Sequence, residues 1–267
     1  MRYGLYVGNQ GELADPRRFA EAAVLAERSG WDGVFTWDHL VSWVNPVADP
    51  WVQLAAAAAL TERVTLGPLV AALPRRRPWK LALEAASVAR LSAGRLVLGV
   101  GVGAAPDLTR FGEDGSARAR TARFEEALPV VRRFLAGDVV THRGRYYSVD
   151  DVQLAADDAP HVPVWVGGNW PRKLPFLGID LAEGVFPVKP LHAAPFFEPL
   201  TPDEVEEVRR TLPGVRDFVV WSRGALEPLT PARAKEYDGA GATWWLEDCW
   251  RVPADEVLAR VSAGPPA

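Results

Sequence analysis

The chain has 267 residues, 48% of them hydrophobic and 24% charged, the profile of a globular protein with a sizeable core. Acidic side chains exceed basic ones, 34 to 30, and the net charge of −4 argues against nucleic acid as the main partner. The one cysteine, Cys249, cannot close an internal disulfide, and uncharged runs such as Trp51–Leu60 and Val64–Pro74 fall short of the ~20 apolar residues that span a bilayer. The opening MRYGLYVGNQGELADPRR has no apolar core of signal-peptide length, so a cytoplasmic location and no membrane partner are expected. Two oddities stand out: 11 tryptophans, and 26 arginines against 4 lysines.

Short apolar runs alternate with helical patterns along the chain. Tyr3–Gly8 reads as a strand, and Asp15-Pro16 then caps and starts a helix that runs to Ser29, with Gly30 at its end. Gly33–His39 is a second strand, after which Asp49-Pro50 repeats the helix start before WVQLAAAAALT. Val64–Leu73 is the third strand, Pro78 opens a helix that stops at Ala93-Gly94, and Arg95–Val102 is the fourth strand. A long helix follows at Ala122–Ala136. Thr141–Val149, with a glycine between polar and aromatic residues, reads as a small hairpin. Val162–Gly167, Gly184–Val188, Asp217–Arg223 and Ala242–Glu247 supply strands five to eight, with a helix at Pro202–Leu212 and a last one from Pro253. The strands are near-continuous apolar runs, as when helices cover a parallel sheet.

Eight strand-then-helix units fit an α/β chain folded as a single (β/α)8 TIM barrel over residues 1–267, with the hairpin near 141–149 as an insertion. A doubly wound open sheet also alternates strands and helices, but an eighth unit at the C-terminus favours closure.

Active sites of such barrels lie at the C-terminal ends of the strands. There the sequence places Trp37-Asp38-His39 with Trp43, the Arg75-Arg76-Arg77 run, Gly99–Gly103, Gly167-Gly168-Asn169-Trp170, Val188-Lys189 and Glu247-Asp248. Gly99–Ala104 formally satisfies a dinucleotide fingerprint, but it follows the fourth strand and runs into Pro106 instead of a helix, so it reads as small residues at the barrel mouth. Asp38-His39 is either an acid–base pair or a structural dipeptide. The arginine run, with Trp79 and Lys80, is either a phosphate site or a solvated helix start. Glycines at 167 and 168 free backbone N–H groups for an anion. Trp165, Trp221, Trp244 and Trp245 lie within strands and read as packing, whereas Trp37, Trp43 and Trp170 at strand ends can line a substrate pocket. No metal-ligand spacing and no nucleophile elbow is present, and no metal is expected.

The helix AEAAVLAERSGWDGVFTWDHL, the tract RVTLGPLVAALPRRRPWKLALEAASVARLSAGRLVLGVGVG, and RGRYYSV before PVWVGGNWP carry a resemblance, as do AEGVFPV and GATWWLE. Along nearly its whole length the sequence resembles the bacterial luciferase-like superfamily of flavin- and deazaflavin-dependent oxidoreductases. The resemblance implies a barrel that holds a flat ring across its strand ends: reduced FMN used with oxygen, or the deazaflavin coenzyme F-420 (F420) used for hydride transfer. By position it implies His39 and Asp38 as catalytic residues near the reactive edge, with Trp43 bounding a small-molecule substrate. Leu69, Val70 and Ala72 match a strand-three bulge against the ring, with a cis peptide expected at Leu69–Val70. Gly167, Gly168 and Asn169 match backbone that meets the coenzyme's tail phosphate, and Lys189 lies near the matching strand-six position.

One departure concerns the sugar-phosphate dehydrogenases of the family, which place a glutamate just after strand four. This chain has Ala104 and Ala105 there, and Asp107 and Glu113 do not match its position. The resemblance also leaves room for a flavin reductase that supplies reduced cofactor, and for a homodimer. A non-catalytic flavin-binding protein of the same fold is the alternative reading, with a metal-dependent hydrolase using Asp38, His39 and Glu247-Asp248 behind it.

Overall fold

The computed structural model describes residues 1–41, 46–154, 159–171, 178–190, 197–212, 214–222, 229–249 and 252–266. β1 (Arg2–Val7) leads to α1 (Pro16–Arg28), and β2 (Gly33–Thr36) to α2 (Pro50–Leu60). The third strand comes in two pieces, β3 (Thr65–Pro68) and β4 (Ala71–Ala72), ahead of α3 (Pro78–Leu91). β5 (Leu98–Gly101) is followed by the single turn α4 (Pro106–Thr109) and the long α5 (Ala117–Leu135). β6 (Val140–Arg143) and β7 (Ser148–Val152) make a separate antiparallel pair. β8 (Val164–Asn169), β9 (Gly184–Pro190), β10 (Phe197–Glu198), α6 (Pro202–Thr211), β11 (Asp217–Ser222), α7 (Pro231–Gly239), β12 (Trp244–Asp248) and α8 (Ala254–Ser262) complete the order.

The main sheet runs β3-β2-β1-β12-β11-β9-β8-β5-β4, parallel throughout, with β10 antiparallel on β9. Its two ends meet. Leu66 N–H donates to Arg95 O at 3.0 Å, and Val97 N–H to Leu66 O at 2.8 Å, so β3 joins the start of β5 and the sheet closes as a barrel. Eight parallel staves result once β3 and β4 are counted as one interrupted strand. The third strand is therefore not the continuous run that its apolar sequence suggests. Between its pieces lies a cis peptide at Leu69–Val70, the position expected.

Repeated X-Pro dipeptides start the helices as read. The Asp15 carboxylate accepts from the Arg17 and Arg18 amides, and Asp49 from those of Trp51 and Val52, while proline at the first position lacks the N–H that would go unpaired. Three helices depart from expectation, the first being the single turn α4, which starts at Pro106 where the sequence suggests no helix. α5 begins at Ala117, capped by Ser116, because the arginine-rich first turns are helical although they lack an apolar face. α7, absent from the sequence reading, is started by Thr230-Pro231 and buries only Ala234 and Tyr237. No helix among the described residues is long and apolar enough to cross a membrane.

Three apolar clusters hold these layers. Outward side chains of β1, β2, β3, β5 and β8 pack under α1, α2, α3, α5 and α8, and those of β9, β11 and β12 under α6 and α7. The barrel interior holds Phe35, Leu69, Val97, Trp165, Phe186, Val219, Trp221, Trp244 and Leu246. These bulky residues fit because glycines face them. A Cβ on Gly33 would lie 2.8 Å from the Phe35 ring and 3.0 Å from that of Trp244. One on Gly4 would lie 2.8 Å from Leu246, and one on Gly184 2.3 Å from Trp165. Small and large residues thus alternate around the interior, as the geometry of a small barrel demands. Trp165, Trp221 and Trp244 are packing residues, as read, and Trp245 packs outward against Tyr237 at 4.8 Å.

Gly99→Ala sets a Cβ 2.3 Å from the carbonyl oxygen of Pro68, where only backbone movement relieves the clash. Such overpacking is expected to destabilise by about 2–3 kcal/mol. Gly239→Ala, with open space around its Cβ at the end of α7, is expected to be neutral or to stabilise by up to about 1 kcal/mol. Denaturant unfolding of the two variants checks the contrast.

Candidate functional site

The C-terminal rim of the barrel is a band of half-buried residues: Tyr6, Trp37, His39, Val70, residues 102–105, residues 167–170, Val188 and Lys189. Its floor is aromatic. Tyr6, on β1, sits 5.7 Å from Trp37 and 5.6 Å from Phe186 between ring centroids, and its hydroxyl donates to Leu69 O. Burial, with the nearby Asp248 carboxylate, pushes the Tyr6 phenol well up. It is therefore a neutral hydrogen-bond donor across the ordinary pH range.

Beyond Thr36 the chain leaves the sheet and presents Trp37, Asp38 and His39. Asp38 is buried, with both oxygens engaged. Oδ1 accepts from Arg75 and, at 2.8 Å, from Arg76 Nη2, while Oδ2 accepts from Arg76 Nε at 2.9 Å and from the Ala72 amide at 3.1 Å. Burial pushes the Asp38 carboxyl up, but the Arg76 and Arg75 guanidiniums and the Ala72 amide outweigh it and hold the pKa below the usual range. Arg75 and Arg76 are thereby turned onto Asp38, Arg76 also reaching Glu84 at 3.2 Å, which rules against the phosphate-site reading for these two arginines. The clamp fastens the end of β2 to the segment after β4.

The carboxylate that meets the His39 ring belongs to Asp107, not Asp38. Asp107 Oδ2 lies 2.7 Å from His39 Nδ1, and Oδ1 accepts from the Leu40 and Val41 amides at 2.9 and 2.7 Å. The Asp107 side chain is 3% exposed, whereas that of His39 is 28% exposed and reaches the open mouth. Burial raises the Asp107 carboxyl, but the hydrogen bonds from His39 and from the Val41 and Leu40 amides prevail and lower its pKa. An ionised carboxylate only accepts, so Nδ1 carries the proton between them and exchange with a ligand falls to Nε2. Trp37 meets the His39 ring edge-on at 5.8 Å.

Beside His39 lies the interrupted third strand. Leu69 and Ala72 are buried, and Val70 projects between two neighbouring strands: a Cβ on Gly101 would come within 2.6 Å of Val70 Cγ2, and one on Gly167 within 2.7 Å of Val70 Cγ1. Gly103, at φ +66, makes the same room for Ala72. The glycines of strands four and five are thus moulded to the bulge. Val70 and residues 102–105 are small, half-buried residues at the rim.

The remaining expected residues divide. Gly167, Gly168 and Asn169 pair along β8 with Phe186, Pro187 and Val188 of β9, at the rim. Lys189 is committed elsewhere: its Nζ lies 2.7 Å from Glu204, which also closes the capping box of α6, and this bond raises the lysine pKa. Trp170 leans on the β9–β11–β12 outer cluster, away from the Trp37 side. Trp43 lies outside the described residues. Among the described residues no group of His, Cys, Asp and Glu is arranged to hold a metal ion.

Sequence reasoning missed Tyr6, Asn9 and the connection of Asp107 to His39. Tyr6 could have been found as the inward residue at the end of strand one, on the same face as Gly4. Asn9 and Asp107 carry no local signal, since their partners lie 30 and 68 residues away.

A family profile described as luciferase-like monooxygenase matches residues 2–216. An F420-dependent glucose-6-phosphate dehydrogenase of Microbacterium testaceum (strain StLB037) is 35% identical over 191 residues, covering 69% of this chain and 55% of that protein. A protein of the same description from Beutenbergia cavernae is 41% identical over 158 residues, covering 56% of this chain and 45% of the relative. The chain therefore spans about half the length of these curated relatives. Among solved structures, an F420-dependent secondary alcohol dehydrogenase in complex with an F420-acetone adduct superposes with a TM-score of 0.74 at 18% identity, covering 96% of both chains. This last likeness shows the fold.

Asp38→Asn leaves two buried guanidiniums short of their counter-charge and is expected to cost about 3–5 kcal/mol at pH 7. Because the folded-state pKa of Asp38 is lowered, its contribution is fully present above the unfolded value near ~3.9 and is lost as pH falls through the folded one. Unfolding measured between neutral and acid pH should therefore show a shallower acid-side decline in the variant than in the parent.

Proposed function

The chain belongs to the luciferase-like monooxygenase family, and from that premise we propose that it is an oxidoreductase that uses coenzyme F420 for hydride transfer on a small organic substrate. The observation that carries this reading is the His39 ring at the strand-end rim, held through Nδ1 by the buried Asp107 and itself 28% exposed. The names of the curated relatives favour F420 over FMN. The residues suit the planar part of such a coenzyme. Val70 and residues 102–105 offer a shallow apolar surface, and Tyr6, Trp37 and Phe186 close its floor. Lys189 stands at the rim with its Nζ on Glu204, and a contact to the coenzyme's tail would be made by an ammonium that Glu204 already holds in place.

When bound, F420 supplies a hydride donor or acceptor at its ring carbon C5. The chain supplies the proton. In the oxidation of a carbinol, His39 Nε2 takes the hydroxyl proton as the hydride leaves carbon, and the imidazolium formed is stabilised by Asp107. In carbonyl reduction the same nitrogen returns it. Asp38, its lone pairs engaged by Arg75, Arg76 and the Ala72 amide, positions the loop and takes no proton. Ala104 and Ala105 stand where the sugar-phosphate dehydrogenases of the family place an acid, so in this reading proton handling among the described residues falls to the His39–Asp107 pair. This favours a substrate that needs one proton-transfer group, and glucose 6-phosphate serves as the contrasting probe.

Titration of the protein with F420 and FMN, followed by absorbance, is expected to show micromolar binding of F420; binding of neither would sink the reading. Turnover with secondary alcohols and with glucose 6-phosphate then separates an enzyme from a protein that only binds the coenzyme. With an accepted substrate, His39→Ala should lower kcat by about 10²–10⁴. Asp107→Asn, which keeps the shape but loses the charge that fixes the ring tautomer, should lower it by about 10–10³ with F420 affinity unchanged.

A further inference from the structure

The segment that bears His39 lies beyond the end of β2, and its backbone polar groups are served by side chains from three other strand-end segments. Arg75, after β4, donates to Asp38 O at 3.0 Å. Asp107, after β5, accepts from the Leu40 and Val41 amides. Asn9, just after β1, takes both polar groups of His39 itself: Nδ2 donates to His39 O at 2.9 Å and Oδ1 accepts from His39 N at 3.3 Å. The second hydrogen on Asn9 Nδ2 goes to Ala48 O at 2.9 Å, and the Asn9 backbone carbonyl accepts from the Ala48 amide at 2.9 Å. Asn9 is 0% exposed. A primary amide is the side chain that meets this demand, since it offers two donors and an acceptor in one plane without charge.

We propose that Asn9 is a positioning residue for His39, whose buried amide fixes the His39 peptide so that the imidazole meets Asp107 and faces the mouth. The inference rests on the proposed role of His39 for its kinetic consequence, but its structural content does not. Asp107 orients the ring about its own bonds, whereas Asn9 sets where the ring begins. Loss of either displaces Nε2, and misplacement of about an ångström is enough to cost rate a hundredfold. Asn9→Asp keeps shape and the acceptor for His39 N–H, but turns an anionic oxygen toward the His39 and Ala48 carbonyls. Asn9→Ser shortens the side chain and gives up the reach to both.

Two measurements test it. The first needs no coenzyme: the His39 Cε1–H resonance, assigned by its loss in His39→Ala, is recorded by NMR at one fixed pH. In Asn9→Ser and in Asn9→Asp it should be displaced from its position in the parent, while the resonances of His142 and His161 stay in place. An unchanged His39 resonance in whichever Asn9 variant folds would overturn the proposal, even if the protein proves not to use F420. The second is a double-mutant cycle in F420-linked turnover. Asn9→Ser should lower kcat at least tenfold in the parent and less than twofold in the His39→Ala background, with the KM for F420 within twofold. An equal loss in both backgrounds would mean that Asn9 acts on the fold and not through His39. Absence of F420 turnover in the parent would count against the proposed function and leave the NMR result to decide the positioning role.

Discussion

The structure depends on a fit between inward-facing glycines and large rings inside the barrel. A closed sheet of eight strands has an interior narrow enough to be filled by side chains, and here tryptophan and phenylalanine fill it. They fit where a neighbouring position has no Cβ, as at Gly33, two residues before Phe35 on the same strand and close to Trp244, or at Gly184, paired with Trp165 on the adjacent strand. The same device continues to the rim, where Gly99, Gly101, Gly103 and Gly167 receive Pro68, Leu69, Val70 and Ala72 of the interrupted third strand. A stretch that formally resembles a nucleotide-binding fingerprint is therefore explained by packing. Its glycines leave room for a neighbouring strand, and the small residues of the rim are the outer surface of that packing.

Above this floor, charge is arranged to hold loops in place. Arg75 and Arg76 converge on Asp38, Lys189 on Glu204, and Arg260 on Glu247 at 2.7 Å. Buried pairs of this kind add little net stability over apolar packing, yet breaking one leaves a stranded charge, so they act chiefly to specify one arrangement. The effect is greatest at residues 38–41. There the backbone has left the sheet, and Arg75, Asn9 and Asp107 from three neighbouring loops supply its hydrogen bonds. The histidine carried by this segment is held both at its peptide, by Asn9, and at its ring, by Asp107.

Much of the fold was legible in the sequence because its signals are local. Asp15-Pro16 and Asp49-Pro50 marked helix starts through a carboxylate two residues from the amides it caps. The apolar runs marked strands covered on both sides. Where the signal was weaker the reading slipped. The arginine-rich opening of α5 has no apolar stripe, α7 buries two residues, and the break in the third strand leaves a continuous apolar run in the sequence. Of the site, the sequence pointed to Asp38, His39, the bulge and Trp37 as residues of the rim. It left the Asp38-His39 dipeptide open between an acid–base pair and a structural one, and did not find that the carboxylate on the His39 ring is Asp107, which is distant in the chain and adjacent in space.

By itself the sequence determined the alternation of strands and helices, their caps, and a count of strands that suits a closed barrel. These follow from hydrophobic periodicity and from contacts within a few residues. Only the tertiary structure decided which charges meet. Asp38 is clamped because two arginines 37 and 38 residues away fold onto it, and Asp107 joins His39 because the short turn after the fourth strand lies against the loop after the second. The glycines likewise acquired their meaning from rings on other strands. The physical reason is common to all three: a side chain's partner across a closed sheet is set by stave order and register, and neither is written in the neighbourhood of the residue itself.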